Sequence, residues 1–110
     1  MIKNAVIEST FLGVEDHGIF TCFLYLDYGD CSCQGFGGYA LDIYNKELGK
    51  REGSVYGCSF IMDTLAVLEV SKWENLSGVH CRVDVEGDYG RILRIGHIIK
   101  DKWFNPTVRV

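Results

Sequence analysis

The chain has 110 residues, 47% hydrophobic and 13% aromatic, with a single proline. That length suits one domain, 1–110, able to bury roughly 65% of its unfolded surface, and the composition is too apolar for a disordered chain. A net charge of −4, from 15 acids against 11 bases, argues against the broad basic face that non-specific nucleic-acid binding requires.

Asn4 to Leu12 reads as a strand, rich in β-formers such as Val6, Ile7, Thr10 and Phe11. Gly13 to Gly18 is a turn. Ile19 to Asp27 is a second strand with apolar residues on both faces, which predicts a central place in a sheet. The two form an antiparallel hairpin. Tyr28-Gly29-Asp30 is another turn. In Cys31-Ser32-Cys33-Gln34-Gly35-Phe36-Gly37-Gly38-Tyr39, three glycines in four positions weaken a strand and point to a bulge or a close backbone approach. Tyr39 to Tyr44 continues as strand, and the polar stretch from Asn45 to Gly53 reads as an exposed loop.

Ser54 is a good N-cap for a helix reaching Val70, with Cys58, Ile61, Met62, Leu65 and Leu68 as its inward stripe. Ser71-Lys72-Trp73-Glu74 fits the capping box of a short second helical turn, with Trp73 and Leu76 inward and Gly78 as its end. Val79 to Glu86 is the cleanest strand. Val79, Cys81, Val83 and Val85 face the core, while His80, Arg82, Asp84 and Glu86 face water. Gly87-Asp88-Tyr89-Gly90 turns the chain into a partner strand, Arg91 to Ile99. The expected fold is α+β: an antiparallel sheet of about five strands with one main helix packed across a face.

No apolar run approaches the roughly 18 residues of a membrane span, and the opening Met1-Ile2-Lys3-Asn4 leads directly into strand-like sequence. Five cysteines, an odd number, favour reduced thiols over a disulfide framework. The expectation is a cytosolic protein without a membrane partner.

Cys31-x-Cys33 could supply half of a metal site, but one intervening residue is tighter than usual zinc spacing and no second pair exists. Cys22, Cys58 and Cys81 stand where core residues belong. No bound metal and no cofactor are expected. Gly35-Phe36-Gly37-Gly38 matches neither common nucleotide-binding glycine pattern. A twisted strand beneath the helix accounts for Gly37, whereas Phe36 and Tyr39 are candidate binding residues. Asp16-His17, preceded by Glu15, could do acid–base chemistry, but no nucleophile is placed beside it. A turn in which Asp16 bonds its own backbone is the simpler reading. This loop joins Phe36 and Tyr39 as the candidate binding set. His80 is expected in water and His97 at the core boundary. Arg91, Arg94, Lys100, Lys102 and Arg109 read as a solvated edge. No catalytic motif stands out.

Three segments together carry a resemblance: Asn4-Ala5-Val6-Ile7-Glu8-Ser9-Thr10-Phe11-Leu12-Gly13 continuing through Glu15-Asp16-His17-Gly18-Ile19, then Gln34-Gly35-Phe36-Gly37-Gly38-Tyr39, then Ile95-Gly96-His97-Ile98 with Lys100-Asp101-Lys102-Trp103-Phe104. The chain resembles a family of small bacteriophage and prophage proteins. The resemblance implies a host-cytosol setting and carries no catalytic residues. Where the family pattern has a Gly/Ser-rich stretch, this chain has Asp30-Cys31-Ser32-Cys33, which weakens a metal role there.

The expected function is that of a phage accessory protein that binds a host protein or ribonucleoprotein complex. One form of this is inhibition of a CRISPR effector or another defence system. The alternative is a small-ligand, nucleotide-sequestering protein using the Gly35–Tyr39 region, and the third reading is a hydrolytic or metal-dependent enzyme. Self-association is left open.

Overall fold

The computed structural model describes residues 1–87 and 90–107. Its main sheet has six antiparallel strands in the order β3-β2-β1-β6-β7-β8. These are β1 (Ile2–Val14), β2 (Phe20–Asp27), β3 (Cys33–Gly37), β6 (His80–Val85), β7 (Ile92–His97) and β8 (Trp103–Phe104). A separate hairpin joins β4 (Asp42–Asn45) to β5 (Lys50–Gly53), and one helix, α1 (Val55–Leu68), completes the α+β fold.

β1 serves two partners. Its first half pairs with β6 and its second half with β2, and the register shifts at Glu8. The extra residue of such a bulge reverses side-chain parity. Ala5 and Ile7 are buried before it; beyond it Thr10 pairs with buried Leu24, and Phe11 turns to the opposite face beside Phe23. β2 is central, as its apolar composition predicts. Only one of its faces is core, however: Cys22, Leu24 and Leu26 are buried, while Tyr25 is 43% exposed.

The sheet curls strongly. Strands spaced about 4.8 Å apart would leave the outer two of a flat six-stranded sheet about 24 Å apart. Yet Phe36 on β3 and Phe104 on β8 meet edge-on with ring centroids 6.4 Å apart. Phe60 of α1 closes the group, 5.9 Å from Phe36 and 5.3 Å from Phe104. The core fills the inside of this curl with Ile7, Leu24, Leu26, Val83 and Ile95.

Several local expectations are corrected. The stretch 39–44 is not one strand, because Gly37 and Gly38 take φ of 116° and 84° and turn the chain out of the sheet. A Cβ on Gly37 would collide with the Cys22 carbonyl. The polar residues 45–53 are not a loop throughout: Lys50–Gly53 pairs with Asp42–Asn45. Arg51 grips the buried Asp42 carboxylate at 2.7 and 2.8 Å, and that carboxylate also accepts the Phe20 N–H at 3.1 Å. The ion pair holds Asp42 below the ordinary carboxylate range, chiefly through the Arg51 hydrogen bond.

α1 starts at Ser54 as expected, with the Ser54 hydroxyl accepting the Gly57 N–H at 2.9 Å. Its inward face is the expected one in part: Leu68 is buried and Ile61 and Leu65 pack against the core, but Gly57, Phe60, Thr64 and Val67 are the other buried residues, whereas Met62 is 64% exposed and Cys58 is also outside. The Leu41 carbonyl lies where a Cβ on residue 57 would be, so the helix seats on this glycine and the stripe rotates accordingly. The capping box at Ser71 does not form. Lys72 stands at the N-cap of the short 3-10 turn Trp73–Asn75 without a side-chain cap, and the Trp73 indole donates instead to Thr10 at 3.1 Å. Leu76 is buried, as expected.

The alternation read for residues 79–86 holds, with Cys81, Val83 and Val85 buried. Part of the following turn, Asp88 and Tyr89, lies outside the described residues, as does Arg109. β8 was not anticipated. Its Trp103 ring occupies the space a Cβ on Gly96 would need, and Arg94 and Arg82 stack on it at 4.2 and 4.9 Å. No helix among the described residues is long and apolar enough to cross a membrane.

Candidate functional site: an aromatic strip on the open sheet face

On the face of the sheet away from α1, three rings form a continuous row. Phe11 and Phe23 are cross-strand partners with centroids 6.3 Å apart, and Phe23 stacks on Tyr25 at 5.9 Å and 20°. Phe11 is 37% exposed and Tyr25 43%. On the neighbouring strand, Gly37 lies opposite Phe23 and Gly35 opposite Tyr25, so β3 sets no side chain against either ring. Gly35 has only open space where a Cβ would be. The glycines of the run thus have two duties. Gly37 fits a backbone crossing, and Gly35 leaves aromatic surface uncovered.

The strip ends at the β1–β2 turn, where Phe11, Val14, Asp16, His17, Phe23 and Tyr25 surround a shallow depression of about 280 Å³. Glu15, not Asp16, organises this turn. Its carboxylate accepts the backbone N–H groups of His17 at 2.6 Å and Ile19 at 3.2 Å, and meets His17 Nδ1 at 2.9 Å. The His17 hydrogen bond and then the Ile19 N–H hold Glu15 below the usual carboxylate range, while the Glu15 hydrogen bond raises His17. Asp16 stays exposed with no partner among the described residues. Pairing a carboxylate with this imidazole makes a solvated ion pair, and no serine, threonine or cysteine lines the depression.

Of the four residues singled out from sequence, Asp16 and His17 therefore sit on this surface. Phe36 does not: it is 2% exposed, on the core side of β3 between Phe60 and Phe104. Tyr39 is half-buried, its ring 5.8 Å from Phe60 and its carbonyl accepting the Thr21 hydroxyl at 2.7 Å. The structure thus separates the set into a core pair and a surface pair. Reading β2 as buried on both faces hid Phe23 and Tyr25. The bulge at Glu8, which brings Phe11 beside them, left no signal in composition.

The described bases near the C-terminus, Arg91, Arg94, Lys100 and Lys102, all have partners. Arg94 bonds Asp84 at 3.0 Å, Arg91 pairs with Glu86, and Lys100 reaches Glu69 at 2.8 Å. Lys102 donates to the Ala66 carbonyl at 3.0 Å. His80 is exposed. His97 lies at the core boundary, its Nδ1 accepting from the N–H groups of Ile99 and Lys100. All five cysteines are free thiols; Cys22 and Cys81 are buried and Cys31, Cys33 and Cys58 exposed, which corrects the core placement of Cys58. Among the described residues no group of three or more His, Cys, Asp or Glu side chains could hold a metal ion. No protein-family model, curated protein or solved structure matches this chain.

Proposed function

We propose that this chain is a bacteriophage accessory protein that acts in the host cytosol by binding a basic protein surface, with an arginine- or lysine-rich face of a defence complex as the target class. The observation that carries the reading is the open strip Phe11–Phe23–Tyr25 bordered by the carboxylates of Glu15 and Asp16. Exposed aromatic rings gain most when another surface covers them. A guanidinium can stack on such a ring and pair with an adjacent carboxylate at once. The net charge of −4 steers encounter toward a cationic partner. Host proteins that hold nucleic acid present such cationic faces. The phage setting rests on the resemblance of the three sequence segments.

The test places the photo-crosslinking amino acid p-benzoylphenylalanine at Tyr25 in a bacterial host lysate. The expected product is a discrete protein adduct whose contact peptide is rich in Arg or Lys, suppressed by Asp16→Lys. A nucleic-acid adduct, or no adduct, would contradict the proposal. Tight stoichiometric binding of a cyclic or linear nucleotide in calorimetry would move the function to small-ligand sequestration.

A further inference from the structure

A second surface lies across the molecule and shares no residue with the strip. α1 and β8 enclose a groove of about 650 Å³. Its floor is apolar, with Phe60, Val67 and Phe104. Two struts bound it: the Tyr56 hydroxyl donates to the Pro106 carbonyl at 2.8 Å, and Lys102 Nζ crosses to the Ala66 carbonyl at 3.0 Å. Asp63 and Asp101 line it with carboxylates. Asp63 is the one charged residue of α1 and has no partner among the described residues. Asp101 accepts the Trp103 indole N–H at 3.1 Å through one oxygen, leaving the other uncommitted. Lys102 Nζ lies 3.5 Å from Glu69, a carboxylate it shares with Lys100 at 2.8 Å. Two carboxylates therefore face the groove against one lysine, whose ammonium is held by the Ala66 carbonyl at 3.0 Å.

One wall of the groove is a sheet edge. β8 pairs only with β7. The Lys102 carbonyl accepts the His97 N–H at 3.0 Å, so by the alternation of an antiparallel ladder Trp103 directs its own N–H and C=O outward. A strand edge facing a helix across a groove with Phe60, Val67 and Phe104 in its lining suits an extended peptide, whose backbone extends the sheet and whose side chains enter the groove. The two carboxylates select a cationic side chain.

We infer that the α1–β8 groove binds an extended peptide segment of a partner protein, added as a strand to β8, with a lysine or arginine of that segment against Asp63 and Asp101. The test uses the full chain and a random heptapeptide display library. Enriched peptides are expected to share Arg or Lys at a fixed position. They should shift the amide signals of Trp103, Phe104 and Ala66, and lose at least tenfold in affinity to Asp63→Asn and more to Asp63→Lys. Tyr25→Ser should leave their affinity unchanged. No enrichment, enriched peptides without a fixed basic residue, signals that move only at the strip, or full affinity in both Asp63 variants would overturn the inference.

Discussion

Phe36 and Phe104 lie on opposite edge strands of the sheet, yet their rings meet at 6.4 Å, with Phe60 packed against both. The contact closes the curl of the sheet around the core and seats α1 across the gap between its edges. It also fixes the two outer surfaces. The strip lies on the convex face of β1 and β2, and the groove lies where α1 meets β8.

Phe36→Ala should therefore cost about 3–5 kcal/mol, the range for a buried aromatic whose space cannot collapse. Chemical denaturation measures it. Tyr25→Ser should cost far less, within about 1 kcal/mol, because that ring is partly in water. Equal costs would place the two rings wrongly.

Val83→Asp should prevent folding, since it buries a charge on a fully apolar strand face. Its neighbour on the other face is not neutral, although the alternation alone reads it as solvated. Arg82 donates to the carbonyls of His97 at 2.7 Å and Lys100 at 2.8 Å, and stacks on Trp103. Arg82→Asp should lower stability by about 1–3 kcal/mol in urea unfolding, and a change near zero would show that these bonds contribute nothing.

Thiol labelling should be split. Burial pushes the Cys22 and Cys81 thiols up to about 12, so they should resist a disulfide reagent until the chain unfolds. Cys31, Cys33 and Cys58 should react at once in the native protein. A fast count of two would return Cys58 to the core.

The elements that sequence reading located well are those with one dominant signal. Cys81, Val83 and Val85 alternate strictly, and Ser54 caps a helix with its hydroxyl. The helix face was harder because apolar residues occur all around α1: Val55, Cys58 and Met62 face water, and Asp63 is its only charge. What decides the face is the approach of the Leu41 carbonyl to Gly57, a tertiary contact with no local pattern. Lys50–Gly53 looked like a loop because its residues are polar, and the Asp42–Arg51 pair that orders it spans the hairpin. Two of the strip's three rings, Phe23 and Tyr25, were visible as apolar residues on the second face of β2. Their exposure was not, because it depends on Gly35 and Gly37 standing opposite them.

The Glu15–His17 pair should have a narrow pH window. The folded value of His17 is raised, so its contribution is complete below the ordinary imidazole value of about 6.5 and is lost as pH rises through the raised value. The folded value of Glu15 is lowered, so its contribution is complete above the ordinary value of about 4.5 and is lost as pH falls through the lowered value. The turn should thus be most ordered between about pH 4.5 and 6.5. In NMR titration His17 should titrate above its ordinary value, and Glu15→Gln should bring it back. An unchanged His17 in that variant would remove the pair as the cause.

The most direct test of the account is the affinity of the partner captured through Tyr25, compared between the native chain and a Phe11→Ser/Tyr25→Ser variant. Loss of two central aromatic contacts should weaken binding at least a hundredfold, corresponding to about 2.7 kcal/mol, with the melting temperature shifting by no more than about 4 °C. Undiminished binding by a variant that melts normally would contradict the claim that this chain works through the open face of β1 and β2.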